Sequence, residues 1–239
     1  MSEVIDEIAF RFLQPLRRVP RGWGRVDDLL RRRGWTLEWL NTALPRRLAD
    51  RGRRLRPLCL MPKMSTFAIG AVLNAAVADM PPGAAYVNVG VWNGFSFLAG
   101  LEGNPTKRCI GVDDFSEFHG PREAFLERFG RHRAAAHEFH ETGYARYFHA
   151  VHRGPIGVYF YDGRHSYAEQ LAGLQAAEPF FTGRCLVVVD DTNWTEPRQA
   201  TLDFMQHSRY RYQLVADRPT VAIKHPTFWN GLMMLRREP

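Results

Sequence analysis

The sequence predicts an α/β fold: a doubly wound, mostly parallel sheet with a closing antiparallel hairpin and an N-terminal helical extension. Three observations predict it. Continuous apolar runs bounded by turn residues occupy residues 85–91, 109–112, 156–161 and 185–189, the pattern of strands buried on both faces. Helix-length segments separate these runs, so β and α alternate. A glycine-bearing stretch leads from the first run straight into a predicted helix, which puts ligands at the carboxyl ends of the strands.

The elements follow in order. Val4, Ile5, Ile8, Phe12 and Leu16 keep a helical period up to Pro15 and Pro20, and residues 25–44 repeat it around Gly34. Ser65 is a suitable N-cap for an amphipathic helix through Ala68, Ile69, Val72, Leu73, Ala76 and Val77, which stops at Met80-Pro81. Two late apolar runs, 212–215 and 229–235, are separated by loop signals at Pro219 and Pro226 and read as the closing hairpin.

Composition divides the chain at Pro57. Residues 1–57 hold 14 Arg and no Lys against 7 acidic residues, and so contain the whole net charge of +7. We therefore read 1–57 as a basic helical extension and 58–239 as the ligand-binding domain. Such a segment is either a solvated helical face or a surface for a phosphate, an anionic glycan or lipid, or a partner's acidic face. Its helices are also a candidate arm for homo-oligomers. Nucleic acid is disfavoured: Trp23, Trp35 and Trp39 are there, but no known binding motif is.

Cys59, Cys109 and Cys185 share no C-x-x-C spacing, which argues against a disulfide framework and a zinc site. The acidic Glu3, Asp6 and Glu7 are unlike a signal peptide, and the longest apolar stretch, 67–80, contains Asn74 and Asp79. The expectation is a cytoplasmic protein without a membrane span.

Two motifs bear on ligands. Val-Asn88-Val-Gly90-Val-Trp-Asn-Gly94-Phe-Ser96 allows a tight turn, a close backbone approach and an anion at the following amides. The next strand ends in Asp113, about 20 residues on, where a carboxylate can accept both ribose hydroxyls. Together they point to an adenosine-containing ligand. The G-x-x-x-G spacing and the absence of G-x-x-x-x-G-K-[ST] point away from NAD and ATP.

On these motifs residues 58–239 resemble the class I S-adenosylmethionine-dependent methyltransferases, with their Rossmann-like fold. The resemblance implies that the turn around Gly90 and Gly94 holds the methionine part of the cofactor. It further implies that Ser96 bonds the cofactor carboxylate, that Asp113 binds its ribose, and that residues 61–65 cover it. The family usually has Glu or Asp where this chain has Asn88, at the position that meets the cofactor's amino group.

Two further strand ends, Tyr-Asp162-Gly-Arg-His165 and Val-Asp190-Asp191-Thr, open on the same edge in a doubly wound sheet. Converging carboxylates with oxygen ligands suit Mg²⁺, Mn²⁺ or Ca²⁺. Taken singly, Asp162-Gly163 also reads as a turn and Asp190-Asp191 as a helix cap. The interval from Asp162 to Asp190 is similar to that of the metal-binding acids in catechol-type O-methyltransferases. Asp-x-x-His followed by paired acids resembles the mycinamicin and macrocin type of sugar O-methyltransferase. That resemblance implies Asp162, Asp190 and Asp191 as Mg²⁺ ligands, His165 as general base, and a hydroxyl of a sugar, glycan or glycosylated small molecule as methyl acceptor. The competing readings are a nucleic-acid-associated methyltransferase using residues 1–57, and a cofactor-binding partner subunit without catalysis.

His119, His132, His137, His140, His149 and His152 have no recurrent ligand spacing and are expected on the surface. The stretch from His225 to Gly231 is expected either as a hairpin loop with Trp229 in the core or as an aromatic platform over the substrate cleft.

Overall fold

The computed structural model describes residues 4–239. The extension contributes α1 (Val4–Glu7), β1 (Ala9–Phe10), α2 (Trp23–Arg31), α3 (Leu37–Asn41), β2 (Thr42–Ala43) and α4 (Ala49–Leu55). The expected helix through Leu16 ends at Glu7. The chain beyond it is extended because β1 pairs with β2, and the buried Asn41 amide accepts from the Phe12 and Leu13 amides and donates to the Leu13 carbonyl.

The rest is α5 (Phe67–Asp79), β3 (Ala85–Val89), α6 (Phe95–Leu101), β4 (Arg108–Asp113), α7 (Arg122–His132), β5 (His137–Glu141), α8 (Tyr144–Arg146), β6 (Ile156–Tyr161), α9 (Tyr167–Ala177), β7 (Phe181–Asp190), α10 (Thr195–His207), β8 (Tyr212–Arg218) and β9 (Leu232–Arg237). The seven-stranded sheet runs β5-β4-β3-β6-β7-β9-β8, parallel except where β9 pairs antiparallel with β7 and β8. The order reverses between β3 and β6, and the crevice outside that reversal is where doubly wound sheets bind ligands.

The core lies on both faces of this sheet. Ile5, Ile8 and Leu55 of the extension share one cluster with Phe67, Leu73, Phe97 and Phe160. Because α1, α3, α4, α6 and the strand β6 all pack against α5, the helix is buried almost all round and is not the amphipathic helix its spacing suggests. Its cap is Thr66 rather than Ser65: the Thr66 hydroxyl oxygen accepts from the Ile69 amide and its O–H donates to the Thr227 carbonyl.

The histidines of the middle segment are not uniformly superficial. Residues 137–141 form the edge strand β5, with His137 buried at its start and bonded to the Asn104 carbonyl. His152 is also buried: Tyr147 O–H donates to its Nδ1, and its Nε2–H donates to the Gly154 carbonyl. Each imidazole replaces an apolar side chain because its polar atoms have local partners.

Candidate functional site

At the carboxyl edge of β3, β4, β6 and β7 lies a cavity of about 510 Å³. Its floor is the glycine turn. Gly90 adopts φ +80°, and a Cβ there would sit 1.9 Å from the Asp162 carbonyl oxygen, so glycine is dictated by the close approach of β6. The Asp162 amide in turn donates to the Val89 carbonyl at 2.9 Å. Gly94, at φ +98°, faces Phe125, whose ring would lie 2.8 Å from an added Cβ.

The five expected cofactor residues separate into two groups. Gly90 and Asp113 line the cavity. Asn88, Gly94 and Ser96 lie behind it: Asn88 Nδ2 donates to the Gly90 carbonyl, and Tyr86 O–H reaches both Asn88 Oδ1 and the Ser96 carbonyl. Asn88 is thus a brace beneath the turn. Asp113 is one as well, since Oδ2 accepts the Val91 and Trp92 amides at 2.8 Å each and Oδ1 accepts the Phe115 amide at 2.7 Å.

Asp162, His165 and Asp191, which also line the cavity, each offer a ligand atom, all within 4.8 Å of one another. His165 Nε2 is 3.0 Å from Asp191 Oδ2 and 3.9 Å from Asp162 Oδ1. The Trp194 ring packs edge-on against the imidazole at 5.2 Å. Asp190, expected beside them, lies outside this group of three: it is buried, its Oδ1 accepts the Asp191 amide, and its Oδ2 has no protein partner. Asp191 Oδ1 and His165 Nδ1 are also buried without a partner.

Burial, followed by repulsion from Asp190, Asp191 and Asp113, pushes the Asp162 carboxyl well above the usual carboxylate range. Asp190 is raised in the same way by burial and by Asp191. Carboxylates with spare oxygens and mutual repulsion fit a hard divalent cation, whose charge would reverse both effects.

Backbone strain concentrates here. Among the described non-glycine residues with positive φ, Trp92, Phe115, Phe118, Asp191, Lys224 and Trp229 all line the cavity, as strained residues at binding sites commonly do. Trp229 packs partly against the core and also lines the cavity. Sequence reasoning missed Trp92, Tyr144 and Lys224. For Trp92 the signal was its place inside the glycine motif. Asn230 lay in the stretch 225–231 expected over the cleft, without a role of its own: it is 1% exposed, lines the cavity, and neither amide atom of its side chain has a partner.

Residues 87–192 match a family model described as a methyltransferase domain. No curated protein matches the sequence. Among solved structures, the chain is similar to the S-adenosylhomocysteine-bound methyltransferase PaMTH1 of Podospora anserina, at 13% identity over 95% of this chain and 100% of that one, with a TM-score of 0.58. A putative O-methyltransferase from Klebsiella pneumoniae is 12% identical over 92% and 99%, with a TM-score of 0.55. CalS11, a TDP-rhamnose 3'-O-methyltransferase of calicheamicin biosynthesis, is 18% identical over 81% and 96%, with a TM-score of 0.50. The sheet order, the closing antiparallel strands and these likenesses agree: the chain has the class I methyltransferase fold.

Proposed function

We propose that the protein transfers a methyl group from S-adenosylmethionine to a hydroxyl of a sugar-bearing acceptor, assisted by a divalent cation such as Mg²⁺. One observation carries the reading: Asp162, His165 and Asp191 meet on the wall of the cavity whose floor is the glycine turn. The unpartnered Oδ1 of Asp191 supports a cation held by Asp162 and Asp191, with Asp190 buried next to them and outside that group. The cofactor supplies an electrophilic methyl group on sulfur, and the cation supplies a Lewis acid that makes a hydroxyl more acidic.

The chain's own residues do the rest. His165, half-buried between Asp191 and Trp194, accepts the hydroxyl proton as the new carbon–oxygen bond forms and the carbon–sulfur bond breaks. Asp191 orients the imidazole through Nε2 and stabilises its cationic form. Gly90 and Trp92 bring the backbone close to the donor, so the reacting atoms are held in line. The Asn230 amide and the Trp194 and Trp229 rings offer hydrogen bonds and an apolar face, which suits a sugar ring. The sugar O-methyltransferase CalS11 shares the fold.

The test is calorimetric titration with S-adenosylmethionine and S-adenosylhomocysteine, with Mg²⁺ and after EDTA. Binding of both, followed by methyl transfer to nucleotide sugars or glycosides that EDTA abolishes, is the expected result. Absence of binding under all conditions removes the methyltransferase reading; transfer that EDTA leaves unchanged removes the cation.

A further inference from the structure

Outside the cavity, one surface combines exposed apolar side chains with cations that have no counter-charge. Helix α2 has no buried residue, and Val26 and Leu29, three positions apart on one face, are 49% and 53% exposed. Phe12 and Leu16 of the extended arm are exposed too, as are Val221 and Ile223 of the loop between β8 and β9. These segments are contiguous. The Phe12 ring lies 6.0 Å from Trp23 at the start of α2, the Val221 amide donates to the Pro15 carbonyl at 3.0 Å, and His225 Nε2 bonds the Arg17 carbonyl at 3.0 Å.

Interleaved with them are Arg17, Arg18, Arg21, Arg25, Arg32 and Arg33. All six are exposed, and none forms an ion pair with a carboxylate among the described residues. Other arginines of the extension do: Arg31 pairs with Asp27 and Arg47 with Glu7. Asp28 is an exposed acid of α2 beside them.

We propose that this face docks on the surface of a bilayer containing anionic phospholipids, with α2 lying in the interface. Aliphatic and aromatic side chains enter the acyl boundary while guanidinium groups bond headgroup phosphates, the division of labour of interfacial helices. The other occupants fit less well. A second copy on a two-fold axis would set arginines against arginines, because such an interface meets itself. A nucleic acid would satisfy the arginines and leave Val26, Leu29 and Leu16 facing phosphates. Residues 58–239, with equal acidic and basic counts, have no excess negative charge to draw this face inward. Ile223 belongs both to the patch and to the cavity lining, so docking turns the mouth of the site toward the lipid surface. The inference stands independently of the methyl transfer reaction.

The experiment is co-sedimentation of the full chain with large vesicles of phosphatidylcholine alone, or of phosphatidylcholine and phosphatidylglycerol in equal parts, at low and high salt. Binding to the anionic vesicles only, weakened by salt, is expected. Each arginine removed in Arg32→Ser and Arg33→Ser should cut partitioning about fivefold, equivalent to about 1 kcal/mol per basic residue at such a surface. Val26→Ser with Leu29→Ser should cut it about tenfold or more, because two aliphatic side chains stay in water. Arg131→Ser on α7 should leave it unchanged, and melting curves that match the parent establish that the variants fold. The proposal is overturned by no sedimentation, by equal binding to neutral vesicles, or by Val26 and Leu29 variants that bind as before. It is equally overturned by light scattering that shows a dimer dispersed by Leu29→Ser, or by gel retention of duplex DNA or RNA without vesicle binding.

Discussion

The proposed base, His165, lines the cavity and is held through Nε2 by Asp191 Oδ2 at 3.0 Å. Replacement by Gln keeps most of the volume and removes the proposed base. Turnover should fall about 10²- to 10⁴-fold while calorimetric affinity for S-adenosylhomocysteine is retained; an unchanged rate would mean that another group takes the proton. Asn230 makes the opposite kind of case. A buried amide without partners costs about 1–3 kcal/mol, so Asn230→Leu should raise the melting temperature and raise the acceptor KM, a trade readable from one unfolding curve and one saturation curve. Burial lowers the pKa of His152 from the usual 6.5 to about 4, against the Gly154 carbonyl, whose bond with Nε2–H favours the charged ring. Below 6.5 the unfolded chain binds a proton that the folded chain refuses, so stability falls as the pH drops from 6.5 toward about 4. Melting curves across that window should show it, and His152→Gln should flatten the slope. Sequence patterns exposed Asp162, His165 and Asp191 because strand ends announce themselves by an acid after an apolar run. They placed Asn230 in a stretch over the cleft but left its unsatisfied amide hidden, because that depends on what fails to surround it.

Among elements, the parallel neighbours β3 and β6 meet tightly just past their carboxyl ends, at Gly90 and Asp162. Gly90→Ala must push the backbone at Gly90 away from the Asp162 carbonyl and also pay for a left-handed φ, together about 2–5 kcal/mol. The expected result is a lower denaturation midpoint and lost cofactor affinity; a variant with parental affinity would contradict the packing. The strands β3, β4, β6 and β7 were legible because each has a buried, mostly apolar central run, with Asn88 the polar residue inside β3 and the polar start of β7 outside the run that was read. The strand β5 was not, since an edge strand can carry His and Glu on its open side. The arm after α1 was misread as helix for a related reason: its apolar spacing is helical, but Asn41, nearly thirty residues away, captures its amides.

In the molecule as a whole, residues 6–17 clasp the loop that completes the cavity. Phe10 stacks edge-on against Phe228 at 5.3 Å, Asp6 pairs with Arg218, and Arg17 and Pro15 bond His225 and Val221 through their carbonyls. Phe10→Ala should therefore leave donor affinity alone, raise the acceptor KM, and speed proteolytic cleavage within residues 219–231; a faster loop with unchanged KM would separate the arm from acceptor binding. Charge counting located the basic segment at once. Its integration into the core through Ile5 and Ile8 was not visible, since two aliphatic residues in a short helix do not declare their partners.

The contact of Gly90 with Asp162 bears on how such a protein can diversify. With no room for even a methyl group between the two strand ends, the donor platform and the acidic wall behave as a single casting whose internal spacing cannot be adjusted piecemeal. New acceptors would have to be accommodated by rewriting the arm and the loop it holds, so a chimera exchanging only those two segments is the natural route to altered selectivity.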